Sequence, residues 1–187
     1  MNRDVFLSVL ALDSYNRGVD QGVIGLGGLG SQIGTAVFDR QSVTTIGSTE
    51  INAGFYASVY SWDGQDVISY RGTNFSFNGP DSGLLNSPFV LDFFNGWSIF
   101  TGIGPDTQAD LAGRFFTAVT GAPLNQIGTG ALPNAIVTGH SLGGALAGYV
   151  GSQARADAVV FDPVPYASTT WENVISVALA KTVSEFS

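Results

Sequence analysis

The amino-acid sequence predicts an α/β domain in which helices flank a mostly parallel sheet. Residues 135–138 have the pattern of a buried strand, a helix begins near Leu142 after a sharp turn, and residues 156–161 form the next apolar run. A strand, a helix and a second strand in succession make a βαβ crossover, which implies parallel strands. At 187 residues the chain is one domain, long enough to bury a substantial core.

An antiparallel hairpin is predicted upstream of this unit. Residues 53–62 are rich in aromatic and β-branched side chains, and the pattern resumes at 67–70. The dipeptide Asp63-Gly64 between them is a hairpin turn signal. Residues 31–39 are also more strand-like than helical.

Three helices are predicted outside the βαβ unit. The first covers residues 4–17, the second begins at the N-cap Asp106 and stops at Gly121, and the third covers 171–186. Their predicted apolar faces consist of Val5, Phe6, Val9, Leu10 and Leu12 in the first, Leu111, Phe115, Ala118 and Val119 in the second, and Val174, Ile175, Ala178, Leu179 and Phe186 in the third.

Composition restricts the class of partner. The formal net charge is −8 with only seven Lys and Arg residues, which disfavours nucleic acid and anionic membrane surfaces and favours a neutral substrate. The chain has no cysteine, so disulfides and thiolate metal sites are excluded. The apolar run at 5–12 is too short for a membrane span and a poor signal peptide, so we expect a cytoplasmic protein, or one secreted without an N-terminal signal peptide.

A glycine-rich stretch at 25–30 matches the dinucleotide fingerprint Gly-X-Gly-X-X-Gly letter by letter. That fingerprint needs a preceding strand, a following helix and an acidic residue closing a βαβ unit. The sequence around 25–30 has none of these features, so we interpret it as a connection and expect no cofactor. We also expect no metal site, since no acidic cluster has ligand spacing.

The turn after the strand at 135–138 has the form Gly-X-Ser-X-Gly, with Gly139 and Gly143 on either side of Ser141. A serine at a sharp strand-to-helix turn has strained backbone geometry, and glycines at the flanking positions let strand and helix approach closely. The hydroxyl of Ser141 then projects above the sheet, and the N–H of Leu142 supplies one half of an oxyanion hole.

The string Gly-His-Ser-Leu-Gly-Gly-Ala-Leu-Ala resembles the nucleophile elbow of class 3 lipases and related bacterial lipases of the α/β-hydrolase superfamily. The resemblance implies that Ser141 is the nucleophile of an α/β-hydrolase-like fold. In class 3 lipases a strand ends in a similar Arg-Gly-Ser/Thr, so Thr73 of Arg71-Gly72-Thr73 is implied as the second oxyanion donor. Taken alone, Arg-Gly-Thr after a strand is only a turn.

For the other two members of a catalytic triad, the sequence offers one candidate acid and no base. Asp162 ends the strand after the elbow and is the candidate acid, as in the Asp-Pro of pancreatic-type lipases. Class 3 lipases take this acid from a later strand, and Asp-Pro also serves simply to terminate a strand. The only histidine, His140, precedes the nucleophile and points away from it, so it packs or hydrogen-bonds within the elbow. We therefore expect the C-terminal part of the fold, with the catalytic histidine, to be missing.

Residues 74–104 show no clear period but carry seven large aromatic side chains. We interpret this segment as a lid or acyl-binding insertion, with Phe75, Phe77 and Trp97 as candidate substrate contacts. The alternative is a packed helix or strand over residues 89–100.

Together these features predict a serine carboxylic-ester hydrolase of lipase or esterase type, acting on a neutral acyl ester or lipid, with weak or no activity for lack of a base. The alternative is a catalytically inactive lipid-binding or structural module.

Overall fold

The computed structural model describes residues 2–17, 30–46, 55–72, 108–124 and 132–163. In this part of the chain the elements follow in the order α1 (Arg3–Asp13), a 3₁₀ turn (Ser14–Asn16), β1 (Gln32–Ile33), β2 (Ala36–Gln41), α2 (Ser42–Thr45), β3 (Ala57–Trp62), β4 (Gln65–Tyr70), α3 (Gln108–Thr120), β5 (Ala135–His140), α4 (Leu142–Ala154) and β6 (Asp157–Phe161). The predicted α/β class is confirmed.

The described strands form one sheet in the order β1-β2-β3-β4-β5-β6. The pairs β1–β2, β2–β3 and β3–β4 are antiparallel, whereas β4–β5 and β5–β6 are parallel. The sheet is therefore mixed, and the expectation of a mostly parallel sheet is wrong for this part of the chain. The parallel pairs are the two whose connections contain a long helix, α3 or α4, because a parallel neighbour needs a crossover.

The predicted hairpin is confirmed as β3 and β4, with Trp62 paired to Gln65 across a two-residue turn. The turn residues Asp63 and Gly64 have φ angles of 50° and 76°. Left-handed conformations at both positions match the right-handed twist of the strands, which explains why Asp-Gly favours such turns.

Alternate side chains of the central strands enter two separate cores, so the described elements form three layers. Val59, Ile68 and Val137 point to the face covered by α3 and α4. Their neighbours Tyr60, Val67 and Ile136 point to the opposite face, which α1 covers. The alternation follows from the two-residue period of a strand.

Helix α1 buries a different face from the predicted one. Phe6 and Leu10 are buried as expected, together with Leu7 and Ala11, but Val5, Val9 and Leu12 are 47%, 38% and 57% exposed. Both sides of this helix carry apolar residues at helical spacing, so periodicity alone cannot choose between them. A smaller correction applies to α3, where Ala118 is exposed and Ala112 and Phe116 are buried.

The end of α1 carries a buried ion pair. Asp13 and Arg17 are one helical turn apart, only 2% and 5% exposed, and paired through the carboxylate and the guanidinium. The Tyr60 hydroxyl donates a hydrogen bond of 2.6 Å to the same Asp13 oxygen, and the Arg17 guanidinium lies 3.9 Å from the centroid of the Phe38 ring. The pair therefore joins α1 to strands β2 and β3.

Several predicted segments lie outside the described residues: the glycines at 25–28, the aromatic segment 74–104 and the helix at 171–186. None of the helices in the described ranges has the length and apolar character needed to cross a membrane.

Candidate active site

Ser141 lies between the end of β5 at His140 and the start of α4 at Leu142. Its backbone angles are φ 57° and ψ −123°, outside the regions that residues with a Cβ ordinarily occupy. Such a conformation costs about 1–3 kcal/mol and persists only where the surrounding structure enforces it. The turn at Ser141 is thus strained, as the Gly-X-Ser-X-Gly spacing predicts.

The two flanking glycines show what enforces the strain. A Cβ on Gly143 would collide with the carbonyl oxygen of Tyr70 and lie 2.9 Å from the carbonyl carbon of Arg71. A Cβ on Gly139 would collide with the backbone of Gly143 and lie 2.8 Å from the Tyr70 carbonyl oxygen. The first turn of α4 therefore sits directly against the ends of β4 and β5, with space only for hydrogen at both positions.

Main-chain hydrogen bonds tie Ser141 to its surroundings. Its N–H donates to the carbonyl of Phe161 at the end of β6 over 3.1 Å, and its carbonyl accepts from the N–H of Ala145 at the same distance. Its side chain is half-buried and does not cap α4. The N–H of Leu142, in the first turn of α4, has no acceptor within the helix.

The end of β4 reaches the same place. Tyr70 pairs with Gly139 in the parallel ladder, so Arg71 and Gly72 continue alongside the elbow. Gly72 is buried, and a Cβ there would lie 2.8 Å from the carbonyl oxygen of His140. Thr73 follows directly, but it lies outside the described residues, as do Phe75, Phe77 and Trp97.

The imidazole of His140 contacts Tyr15, in the 3₁₀ turn after α1. The Tyr15 hydroxyl lies 3.1 Å from His140 Nδ1 and 3.2 Å from the His140 carbonyl oxygen, and the two rings meet edge to face. His140 is thus a hydrogen-bonding residue of the elbow, in agreement with the sequence. Sequence reasoning missed this contact of Tyr15 with the elbow, and no motif around Tyr15 gave a signal.

Asp162 follows β6 directly, one residue after the carbonyl that accepts from Ser141. It is exposed, with φ 43°. In the described part of the chain its carboxylate makes no ion pair and accepts no hydrogen bond. The structure therefore places Asp162 at the same end of the sheet as Ser141.

A concavity lies at the end of the sheet opposite to Ser141. A cavity of about 380 Å³ is bordered by the amino ends of β4 and β5, including Gln65, Asp66 and Asn134. Ligands of open α/β sheets bind at the carboxyl ends of the parallel strands, where Ser141 lies, and not at this end.

The described residues include no group of three or more acidic or histidine side chains that could hold a metal ion. Comparisons of the chain with protein-family models, with curated proteins and with solved structures gave no match.

Proposed function

We propose that this chain is a serine carboxylic-ester hydrolase of lipase or esterase type that acts through an acyl-enzyme on Ser141. The observation that carries the proposal is the backbone of Ser141, held at φ 57° between two glycines that have space for no side chain. Strain of this kind gathers at functional sites, and a strained serine between strand and helix is the arrangement of a nucleophile elbow.

In the proposed reaction Ser141 Oγ attacks the acyl carbon of an ester. The hydroxyl proton passes to a base, and the carbonyl oxygen becomes the oxyanion of a tetrahedral intermediate. When the intermediate collapses, the bond from the acyl carbon to the alcohol oxygen breaks and the alcohol leaves with a proton. Water then hydrolyses the Ser141 ester by the same steps.

The N–H of Leu142 supports an oxyanion site beside Ser141. Leu142 is the first residue of α4, and the helix dipole also favours negative charge at this end. A second donor is expected from the turn that starts at Arg71 and Gly72, since Gly72 lies against the His140 carbonyl. We assign this donor to Thr73, the next residue.

The base that accepts the Ser141 proton is not His140. His140 is the only histidine of the chain, and its Nδ1 contacts the Tyr15 hydroxyl. Asp162, the proposed acid, has no histidine to orient. Without a base, turnover should fall on the order of 10⁶, leaving about 10³ to 10⁴ over water from the oxyanion hole and substrate binding.

The lack of a histidine base favours a second candidate function from another class, a catalytically inactive module that binds lipid or serves a structural role. The strained backbone of Ser141 weighs against it, because a residue without chemistry to perform has no reason to retain about 1–3 kcal/mol of strain. The low content of charged residues in the chain suits an apolar acyl group in either case.

Hydrolysis of p-nitrophenyl butyrate with added imidazole distinguishes the two candidates. Free imidazole has a pKa near that of a histidine side chain, about 6.5, and can replace the missing base. We expect the rate to rise with imidazole concentration more steeply in the wild type than in Ser141→Ala. A fluorophosphonate probe should also label the wild type at Ser141. Equal imidazole dependence in both proteins, with no labelling, would instead support the inactive module.

A further inference from the structure

The hydroxyl of Tyr15 lies where the two strand ends of the candidate site meet. It is within hydrogen-bond distance of two atoms of His140, Nδ1 at 3.1 Å and the carbonyl oxygen at 3.2 Å. It also fills the space over Gly72, because a Cβ on that glycine would collide with the Tyr15 oxygen. One oxygen thus contacts the residue before Ser141 and the last described residue after β4.

The chemistry of a phenol satisfies this position with either histidine tautomer. When His140 Nδ1 carries no proton, the Tyr15 hydroxyl donates to it. When Nδ1 carries the proton, it donates to the Tyr15 oxygen, and the hydroxyl donates to the His140 carbonyl instead. The contact therefore holds in both neutral forms of the imidazole.

The surroundings of the Tyr15 hydroxyl favour its neutral form. Burial raises the pKa of Tyr15, and this rise is partly offset by the Gly72 backbone and the Arg71 charge. Helix α1, which precedes Tyr15, is itself bonded to β4, because Ser69 Oγ donates to the Leu10 carbonyl over 3.1 Å. Tyr15 is thus held by α1 while its oxygen contacts both turns.

We propose that Tyr15 is a positioning residue, whose hydroxyl holds the end of β4 at Gly72 against the elbow at His140. This inference rests on the proposed function, because it assigns to the contact the task of setting the oxyanion geometry beside Ser141. A displacement of about 1 Å at such a site lowers a rate about 10²-fold, so a single fixed oxygen between the two turns has a large effect.

The test uses Tyr15→Phe, which removes only the hydroxyl, and Tyr56→Phe as the matched control. The Tyr56 hydroxyl donates to Gln41 Oε1 over 3.0 Å, and the Tyr56 ring, whose centroid lies 4.6 Å from the Arg71 guanidinium carbon, is kept by the substitution. The measurement is the saturation kinetics of Ser141 phosphonylation by a fluorophosphonate. We expect Tyr15→Phe to lower the limiting rate about 10- to 100-fold at unchanged half-saturating concentration. Tyr56→Phe should match the wild type.

A spectroscopic readout accompanies the kinetics. Because His140 is the only histidine, its imidazole ¹⁵N resonances are assigned without ambiguity. They should shift in Tyr15→Phe and stay in place in Tyr56→Phe. Gly72→Ala serves as a second variant if Tyr15→Phe does not fold. Its Cβ would displace the Tyr15 oxygen and would also lie 2.8 Å from the His140 carbonyl oxygen, so it should slow phosphonylation too.

The outcomes separate this inference from the proposed function. Wild-type labelling no faster than that of Ser141→Ala overturns both. Wild-type labelling faster than that of Ser141→Ala, with an equal rate in Tyr15→Phe or in Gly72→Ala where that variant replaces it, overturns the positioning role alone. Slower phosphonylation in Tyr56→Phe to the same degree as in Tyr15→Phe also overturns it, since the loss would then follow from any missing tyrosine hydroxyl.

Discussion

The N–H of Ser141 donates a hydrogen bond of 3.1 Å to the carbonyl of Phe161, which joins the elbow between β5 and α4 to the end of the neighbouring strand β6. This bond extends the parallel ladder, in which His140 already pairs with Phe161. The elbow is therefore part of the sheet and not a free loop, so its strain can be tested by stability measurements.

The strain at Ser141 predicts an unusual gain in stability. Ser141→Gly removes the Cβ that disfavours φ 57°, and we expect the free energy of unfolding to rise by about 1 kcal/mol after the entropic cost of a glycine. Ser141→Ala retains the Cβ and should show no such gain. Urea denaturation measures both, and equal stabilities for the two variants would show that the backbone of Ser141 is relaxed.

The contact between α4 and the strand ends predicts a graded series. Gly143→Ala forces a Cβ into the Tyr70 carbonyl and should destabilise the protein by about 3 kcal/mol, with Gly139→Ala similar. Gly144→Ala is the milder comparison, because its Cβ would lie 3.1 Å from the Gly139 carbonyl oxygen, a tight contact that falls short of a collision, and alanine favours a helix. Thermal unfolding should rank Gly144→Ala far above the other two; three equal melting temperatures would contradict the close approach.

The buried ion pair at the end of α1 predicts a large loss on removal of one partner. Asp13→Ala leaves Arg17 buried without its carboxylate, and we expect a loss of about 3–5 kcal/mol in the free energy of unfolding. Asp39→Ala breaks the exposed pair with Arg40 and should cost at most about 1 kcal/mol. Similar losses in the two variants, measured by urea denaturation, would mean that Asp13 is accessible to water.

The buried tyrosines predict a loss of stability at alkaline pH. Burial raises the pKa of Tyr70 far above its ordinary value, so the folded protein keeps a proton that the unfolded chain releases above about pH 10. The contribution of Tyr70 is then complete below pH 10 and declines as the pH rises further.

The comparison of wild type with Tyr70→Phe isolates this contribution. Above pH 10, the unfolding free energy of the variant should fall less steeply, by about 1.4 kcal/mol per pH unit. Below pH 9 the two curves should run parallel, offset by the hydrogen bond that Tyr70 donates to the Ala112 carbonyl. Parallel curves up to pH 11 would show that Tyr70 titrates normally.

Local signals explain what the sequence predicted well. The hairpin depends on two residues, Asp63 and Gly64, whose conformational preferences act without help from the rest of the chain. The elbow likewise follows from a few neighbouring residues, with Gly139 and Gly143 required by sterics alone. Strand β6 and the crossover to it through α4 were likewise predicted from the apolar pattern of residues 135–161.

Non-local relationships were not predictable. The described sheet has more antiparallel pairs than predicted because β1 and β2 join the hairpin edge, a pairing that no short pattern specifies. The buried side of α1 is set by the sheet it covers, since Leu7 and Val9 are equally apolar in the sequence. Tyr15 meets His140 across 125 positions of the chain, so its role becomes visible only in three dimensions.

The described sheet ends on one side in β1, a strand of only two residues, Gln32 and Ile33. Such a short margin offers a second molecule few free amide and carbonyl groups for strand addition. We therefore expect ordered aggregates to grow poorly by strand addition at β1 of the native protein, even though the described sheet is open and rich in β-branched residues.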